Sequence, residues 1–175
     1  NLGLLRGIAM DLDIPGVAMV DAAVAATRRP YVNAVPVLVD LGVHSAMLTR
    51  LSQDGRVQFE RGAVIEASGM LSLSDVWRRL IAETFVQQSR FDPLHTAETE
   101  QVLQDSIFDW LQIAASQDSV RMKVIYRGTS HDAEIESLQL VSAAEPVYRN
   151  IASNLRALIR GGETPAIQLS DRAAR

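Results

Sequence analysis

Three residues whose types could support chemistry stand together where an apolar run of the chain ends. Asp40 follows the apolar residues 35–39, Gly42 comes two positions later, and Ser45 opens the next segment. This pattern predicts a buried strand that ends in a carboxylate, a tight reversal at the glycine, and a second strand that begins with a hydroxyl. A strand-end aspartate that only caps a turn would leave the same pattern, so both interpretations stay open at this point.

Other polar residues offer weaker candidates for a site. Asp21 precedes an alanine-rich segment and is predicted to cap a helix over residues 22–27. His44 is expected to be an exposed loop histidine. The segment 131–134 contains a histidine and two acidic residues, but it falls in a predicted hairpin turn without a fourth ligand, so we expect no metal site there.

The composition excludes several classes of function. The 175 residues carry a net charge of −4, with 47% hydrophobic and 22% charged residues, which is typical of a globular domain. A nucleic-acid partner is not expected, because neutralising phosphates requires clustered Lys and Arg. The chain has no cysteine, hence no disulfide, and no apolar run of roughly 18–20 residues, so membrane insertion is not expected. These features favour the cytoplasm, and both ends are interpreted as cut from a longer protein.

The elements that would position these residues alternate as in an α/β protein. Helices are predicted over residues 2–11, 22–27, 74–88 and 96–114, and from Pro146 to a glycine cap at Gly161 and Gly162; strands are predicted over residues 17–20, 35–39, 45–52, 56–61, 120–126, 133–140 and 166–169. Asp54-Gly55 predicts a two-residue hairpin turn, and Ser74 a helix cap. Trp77 and Trp110 fall at helical spacing and are expected in the core.

Several segments together resemble one known superfamily. Residues 37–48, which include Asp40 and Gly42, resemble the second phosphate-binding loop of the actin, sugar-kinase and heat-shock-chaperone superfamily. Asp21 and the alanines after it resemble the acidic helix that links the two lobes of these proteins. The helix, hairpin and helix over residues 96–159 resemble, in order and rough length, the outer subdomain of DnaK-type chaperones.

This resemblance implies an α/β fold, an actin-like ATPase (ribonuclease H-like) lobe. Its core would be residues 1–95 and 141–175, and residues 96–140 would form an inserted helix-plus-hairpin outer subdomain. The chain would be the second lobe of a DnaK-like protein that binds ATP and Mg²⁺ between two lobes. Its partners would be the missing first lobe of the same protein and a protein client or assembly partner.

The resemblance also implies a role for each candidate residue. Asp40 would be the catalytic carboxylate, and Asp21 and Asp40 would hold Mg²⁺ through water. Asp21, Gly42 and Ser45 would contact the cofactor. Phosphoryl transfer needs phosphate contacts from both lobes. We therefore expect this lobe alone neither to bind ATP measurably nor to hydrolyse it, and the residues leave open whether the full-length protein is an ATPase.

The sequence departs from the superfamily at three nucleotide contacts. Val43 and His44 stand where glycines belong, and Leu103 and Gln104 stand where the adenine-contacting helix carries cations. Residues 169–174 replace a glycine-rich turn. These departures favour an alternative: an actin-fold assembly scaffold without nucleotide turnover, similar to pilus or secretion platform proteins. A third interpretation is an unrelated α/β binding module.

Overall fold

The computed structural model describes residues 2–14, 16 and 20–174 and has the mixed α/β architecture predicted. The helices and strands, in chain order, are α1 (Leu2–Asp11), α2 (Ala22–Ala26), β1 (Val35–Leu41), β2 (Ser45–Ser52), β3 (Gln58–Glu66), α3 (Met70–Ser89), α4 (Ala97–Ala114), β4 (Ser119–Tyr126), β5 (Thr129–Glu136), α5 (Ser137–Leu158), β6 (Pro165–Leu169) and α6 (Asp171–Ala174). The strand predicted over residues 17–20 falls mainly on residues outside the described part.

Four strands form a mixed sheet in the order β3-β2-β1-β6. Strands β1, β2 and β3 are antiparallel neighbours, whereas β6 returns parallel to β1, with Val39 opposite Leu169. The chain between β3 and β6 passes through α3, α4, the β4–β5 hairpin and α5. The parallel pair therefore places the carboxyl ends of β1 and β6 at the same edge of the sheet.

The two faces of the sheet are covered differently. Val37, Val39 and Leu48 belong to the large core cluster that the sheet shares with α3, α4 and α5. Leu38 points to the other face, where it packs with Leu51 and with helix α2. Because successive side chains of a strand alternate between faces, Asp40 lies on the α2 side of the sheet.

Helix α4 and the β4–β5 hairpin extend the same core away from the sheet. Trp77 and Trp110, predicted in the core, are each only 8% exposed, and Met122 of β4 and Ile135 of β5 belong to the same cluster. The division into a core and an outer subdomain at residues 96–140 stays a prediction.

Helix α3 begins earlier than predicted. Its first residue is Met70 and its N-cap is Gly69, whereas Ser74 is buried inside the helix, so the prediction of Ser74 as the cap was wrong. The physical reason lies in the neighbouring turn: the Met70 and Leu71 N–H groups donate to backbone carbonyls of Gly42 and Val43, each at 3.0 Å. Helix donors that already have acceptors need no capping side chain.

Helix α5 also begins earlier than predicted, and Pro146 lies inside it rather than in its first turn. Glu136 and Gln139 form a capping box that starts the helix at Ser137. The predicted strand over residues 133–140 therefore ends at Glu136. The helix ends at Leu158, so Gly161 and Gly162 are not its cap; Gly162, with φ of 84°, lies in the turn before β6.

Both hairpin turns differ from the prediction. In the first, Ser52 pairs with Gln58, so the loop around Asp54-Gly55 has five residues rather than two. In the second, the turn is Arg127-Gly128 and β5 begins at Thr129, four residues before the predicted strand over residues 133–140. Both turn residues have positive φ, as a type I′ turn requires. Among the helices of the described residues, none is long and apolar enough to cross a membrane.

Candidate functional site

Asp40 lies near the carboxyl end of β1, and its two oxygens have different surroundings. Its Oδ2 is 3.7 Å from a guanidinium nitrogen of Arg172, and the side chain is 24% exposed. Its Oδ1 is buried and has no hydrogen-bond partner among the described residues. A buried carboxylate oxygen without a partner is costly, and such groups concentrate where a ligand, an ion or water completes the bonding.

The β1–β2 turn (residues 42–45) follows directly and has a tight closure. The Gly42 N–H donates to the Ser45 carbonyl at 2.8 Å, which leaves Val43 and His44 exposed at the tip. In the described part of the chain, the backbone N–H groups of Val43 and His44 have no hydrogen-bond acceptor. The turn therefore directs carbonyls at helix α3 and keeps two N–H donors that could bind an anion.

Gly69 fixes how closely helix α3 approaches this turn, and the sequence reasoning missed it. A Cβ atom there would lie 2.5 Å from the Ser45 nitrogen, 2.6 Å from the His44 carbonyl carbon and 2.7 Å from the Gly42 oxygen. These are backbone atoms that cannot move aside. A glycine just before an apolar helical run was the available signal, but it was lost because the helix was predicted to begin at residue 74.

Asp21 caps helix α2, as predicted. Its Oδ1 accepts the Ala23 N–H at 2.8 Å. At the other end of α2, the Thr27 hydroxyl contacts Gln168 of β6 at 3.1 Å. Helix α2 is thereby tied across the face of the sheet that carries Asp40. Asp21 and Asp40 are thus on the same side of the sheet, with one Asp21 oxygen already engaged by the helix.

The carboxyl end of β6 supplies the residue that faces Asp40. The Ser170 N–H donates to the Val39 carbonyl at 3.0 Å, and Ser170 then accepts the N–H groups of Ala173 and Ala174 to form the single turn α6. Arg172 projects from this turn to Asp40. In open α/β sheets, ligands bind beyond the carboxyl ends of parallel strands, which is where these residues meet.

The α4 residues that stand where the superfamily has its adenine contacts serve packing in this chain. Leu103 is fully buried in the core. The Gln104 amide donates to Ser74 at 2.9 Å, and Glu100 is ion-paired with Arg78. These side chains hold α4 against α3, so their polar groups are already in use.

Two side chains of residues 131–134, where no metal site is expected, take part in packing and in polar contacts. The His131 ring stacks on Phe91 with a centroid separation of 3.9 Å. Glu134 accepts the Ser119 hydroxyl at 2.6 Å, and this bond lowers the pKa of Glu134 below its usual value. Residues 2–14, 16 and 20–174 contain no group of three or more His, Asp or Glu side chains arranged to hold a metal ion.

The largest electrostatic perturbation lies on the opposite face of the sheet from Asp40. Arg50 of β2 is 3% exposed and forms a two-pronged ion pair with Glu163, at 2.6 and 2.8 Å. Hydrogen bonds from Arg50 and from the Arg160 N–H lower the pKa of Glu163 to about 2, and the pairing with Glu163 raises the pKa of Arg50. A second carboxylate, Glu60, accepts Arg50 Nε at 2.9 Å, so this group is fully paired.

The described residues thus bring Asp40, Gly42 and Ser45 together on one edge of the sheet, with Gly69 and Arg172 beside them. A comparison with protein-family models found no match, and a comparison with curated proteins found none either.

Proposed function

We propose that this chain is the second lobe of a DnaK-like ATP-binding protein, inactive by itself, in which Asp40 lies at the nucleotide cleft. The order β3-β2-β1-β6, with three antiparallel strands and a fourth returning parallel beside the first, supports this proposal. It resembles the ribonuclease H-like core of the actin and heat-shock-chaperone superfamily. By this proposal the protein is cytoplasmic, and its partners are its own first lobe and a protein client or assembly partner.

The observation that carries the proposal is the Asp40 carboxylate, one oxygen of which has no hydrogen-bond partner among the described residues, beside a turn in which the N–H groups of Val43 and His44 have no acceptor among them either. A carboxylate suits the water shell of Mg²⁺, and the Asp40 side chain is 24% exposed. Backbone N–H groups of a tight turn suit phosphate oxygens. A metal–nucleotide complex carries both chemistries, so the two features are explained by one ligand.

The residues present fit ATP and Mg²⁺ in part. Asp40, together with Asp21, would hold Mg²⁺ through water, and the Gly42 turn with Ser45 would lie against the phosphates. Bound Mg²⁺ would neutralise phosphate charge during transfer. Asp40 would orient the attacking water, and Gly69 would keep the turn pressed against α3 so that its N–H groups stay directed outward.

A second candidate function is an actin-fold assembly scaffold without nucleotide turnover. Two observations favour it: exposed side chains at Val43 and His44 crowd the approach to the turn, and Arg172 places a positive charge at Asp40. A scaffold keeps the fold and the interfaces but does not require a vacant place for a cation. An unrelated α/β binding module remains the third alternative.

Calorimetric titration with Mg-ATP tests these readings on two samples. The isolated chain should show a dissociation constant above about 50 μM, because a few solvent-screened hydrogen bonds of about 1 kcal/mol each fall short of the roughly 8 kcal/mol that micromolar affinity needs. The full-length protein should bind Mg-ATP, and Asp40→Asn should weaken that binding at least about tenfold, the effect of losing one charged contact.

Asp54→Asn is the matched control, because Asp54 is an exposed aspartate in the β2–β3 loop. It should leave nucleotide affinity unchanged. Equal affinities for wild type and Asp40→Asn in the full-length protein would reject the ATP-binding role. A full-length protein that binds no Mg-ATP but still assembles with its partner would establish the scaffold instead.

A further inference from the structure

Arg172 lies beside Asp40, where the proposed function would place a divalent cation. Its guanidinium is 3.7 Å from Asp40 Oδ2, and no second acidic group pairs with it among the described residues. The α6 turn that presents it is held at two points, by the Ser170–Val39 backbone bond and by Ala173, which packs against the main core. This arrangement gives Asp40 a counter-charge from its own chain.

A guanidinium and a hydrated divalent cation cannot both sit at one carboxylate without repelling each other. Mg²⁺ and Mn²⁺ take oxygen ligands, whereas Arg offers only donors. At a separation of about 6 Å in a largely aqueous site, repulsion between a single and a double positive charge changes a binding constant by about tenfold. Arg172 is 61% exposed, so most of its side chain is already in contact with solvent while it is paired with Asp40.

We propose that Arg172 is a built-in competitor of the divalent cation at Asp40, and that the α6 turn regulates cation access to this site. The proposal rests on the proposed function only in taking Asp40 as a cation-facing carboxylate. While Arg172 is paired with Asp40, a divalent cation binds weakly. When Arg172 turns away to solvent, or to an anion brought by a ligand, Asp40 becomes free to take the cation.

Direct binding of Mn²⁺ to the 175-residue chain tests this, with free Mn²⁺ counted by electron paramagnetic resonance. Arg172→Gln should tighten Mn²⁺ binding about tenfold relative to the wild type. The double variant Asp40→Asn with Arg172→Gln should lose this site. Arg121→Gln is the matched control, because it removes one equally charged arginine that is 88% exposed on the β4–β5 hairpin, outside the four-stranded sheet that carries Asp40. It should change the affinity less than about twofold, because salt weakens interactions between exposed charges that are far apart.

Three results would overturn the proposal: no tightening in Arg172→Gln, tightening of equal size in Arg121→Gln, or tightening that survives Asp40→Asn. Thermal unfolding of each variant verifies that the fold is retained. Because no nucleotide is present, the outcome is independent of the ATP proposal. If Arg172 competes at Asp40 but the full-length protein does not bind Mg-ATP, only the proposed function is rejected. If the full-length protein binds Mg-ATP but Arg172→Gln does not tighten Mn²⁺ binding, only the competition is rejected.

Discussion

Two arginine–carboxylate pairs, Arg50 with Glu163 and Arg172 with Asp40, have equally exposed carboxylates but very different hydrogen bonding. Glu163 and Asp40 are each 24% exposed. Glu163 receives two short bonds from Arg50, which is almost wholly buried. Asp40 contacts Arg172 only at 3.7 Å, and its buried Oδ1 has no hydrogen-bond partner in the part of the chain that the structure describes.

The local backbone explains the difference. A β-bulge between β2 and β3 makes Glu60 an extra residue opposite Arg50, which brings a second carboxylate to the same guanidinium. Arg50 also donates to the Leu158 carbonyl at 3.0 Å, so it joins β2, β3, the end of α5 and the turn before β6. The Arg50 guanidinium, which holds the fold together, has all its hydrogen bonds satisfied. Asp40 keeps an oxygen that has no partner among the described residues, as expected of a residue that binds a ligand.

The largest effect should follow removal of Arg50. Arg50→Met should lower the free energy of unfolding by about 3–5 kcal/mol, because the change breaks a buried ion pair. It leaves Glu163 without its arginine side chain and Glu60 with only the exposed Arg160 as a cation. Urea unfolding followed by the fluorescence of Trp77 and Trp110 measures the change, since both side chains are buried in the core.

Arg121→Met is the control, since it removes an arginine paired at 3.5 Å on the exposed face of the hairpin. The unfolding free energy should then change by less than about 1 kcal/mol, the usual range for exposed pairs. If Arg50→Met changed the unfolding free energy as little as the control does, the contrast between the Arg50 pair and the Arg172 pair would not hold.

The next largest effect should come from the contact between the β1–β2 turn and α3. Gly69→Ala forces a Cβ atom within 2.7 Å of three backbone atoms of the turn, so it should cost about 1–3 kcal/mol by displacing the turn or the helix start. Gly161→Ala is the matched control, because its Cβ would meet nothing within 4 Å. Equal midpoints of thermal unfolding for the two variants would contradict the close packing of Gly69.

The pH dependence of stability should sharpen the comparison further. The pKa of Glu163 is lowered to about 2 in the folded chain, against about 4.3 for an unfolded glutamate. A lowered folded pKa stabilises the fold above the unfolded value, and this stabilisation is lost as the pH falls through the window from about 4.3 to 2. Glu163→Gln should therefore be less stable than the wild type at pH 6, and the gap should shrink as the pH approaches 2.

Glu145→Gln serves as the control for acid unfolding, because Glu145 forms an exposed i,i+4 pair with Arg149. Its gap from the wild type should be small at pH 6. A gap for Glu163→Gln that stays constant down to pH 2 would show that the pairing with Arg50 does not set the stability of this region.

The sequence predicted local features much better than contacts between distant segments. The strand leading to Asp40, the cap at Asp21 and the buried tryptophans all follow from alternation, helix periodicity and capping preferences, which act over a few residues. The starts of α3 and α5 were misplaced. The α3 start depends on carbonyls of the β1–β2 turn, far away in sequence, and the α5 start was hidden because the capping-box residues lie in a segment that also reads as a strand.

Two residues of the candidate site could not be inferred from any local pattern. Gly69 matters because α3 approaches the turn at residues 42–45, and Arg172 matters because β6 returns parallel to β1. Both relations depend on the sheet topology. Arg50 was missed for the same reason, since its carboxylate partners are 10 and 113 residues away along the chain.

The smallest effect on stability should come from Asp40 itself. Asp40→Asn removes a charge whose one arginine contact is long and partly exposed, and whose buried oxygen has no donor to lose. Exposed pairs contribute about 0–1 kcal/mol, so the unfolding free energy should change by less than about 1 kcal/mol. Removing the charge from this partly buried position would shift the unfolding free energy toward greater stability. The same urea titration measures this change, with Arg50→Met run in parallel.

A loss of 2 kcal/mol or more would make Asp40 a structural residue like Glu163, and its unpartnered oxygen would then no longer indicate a ligand. A neutral or stabilising change, together with an altered Mn²⁺ affinity, would show that Asp40 is kept for binding rather than for the fold.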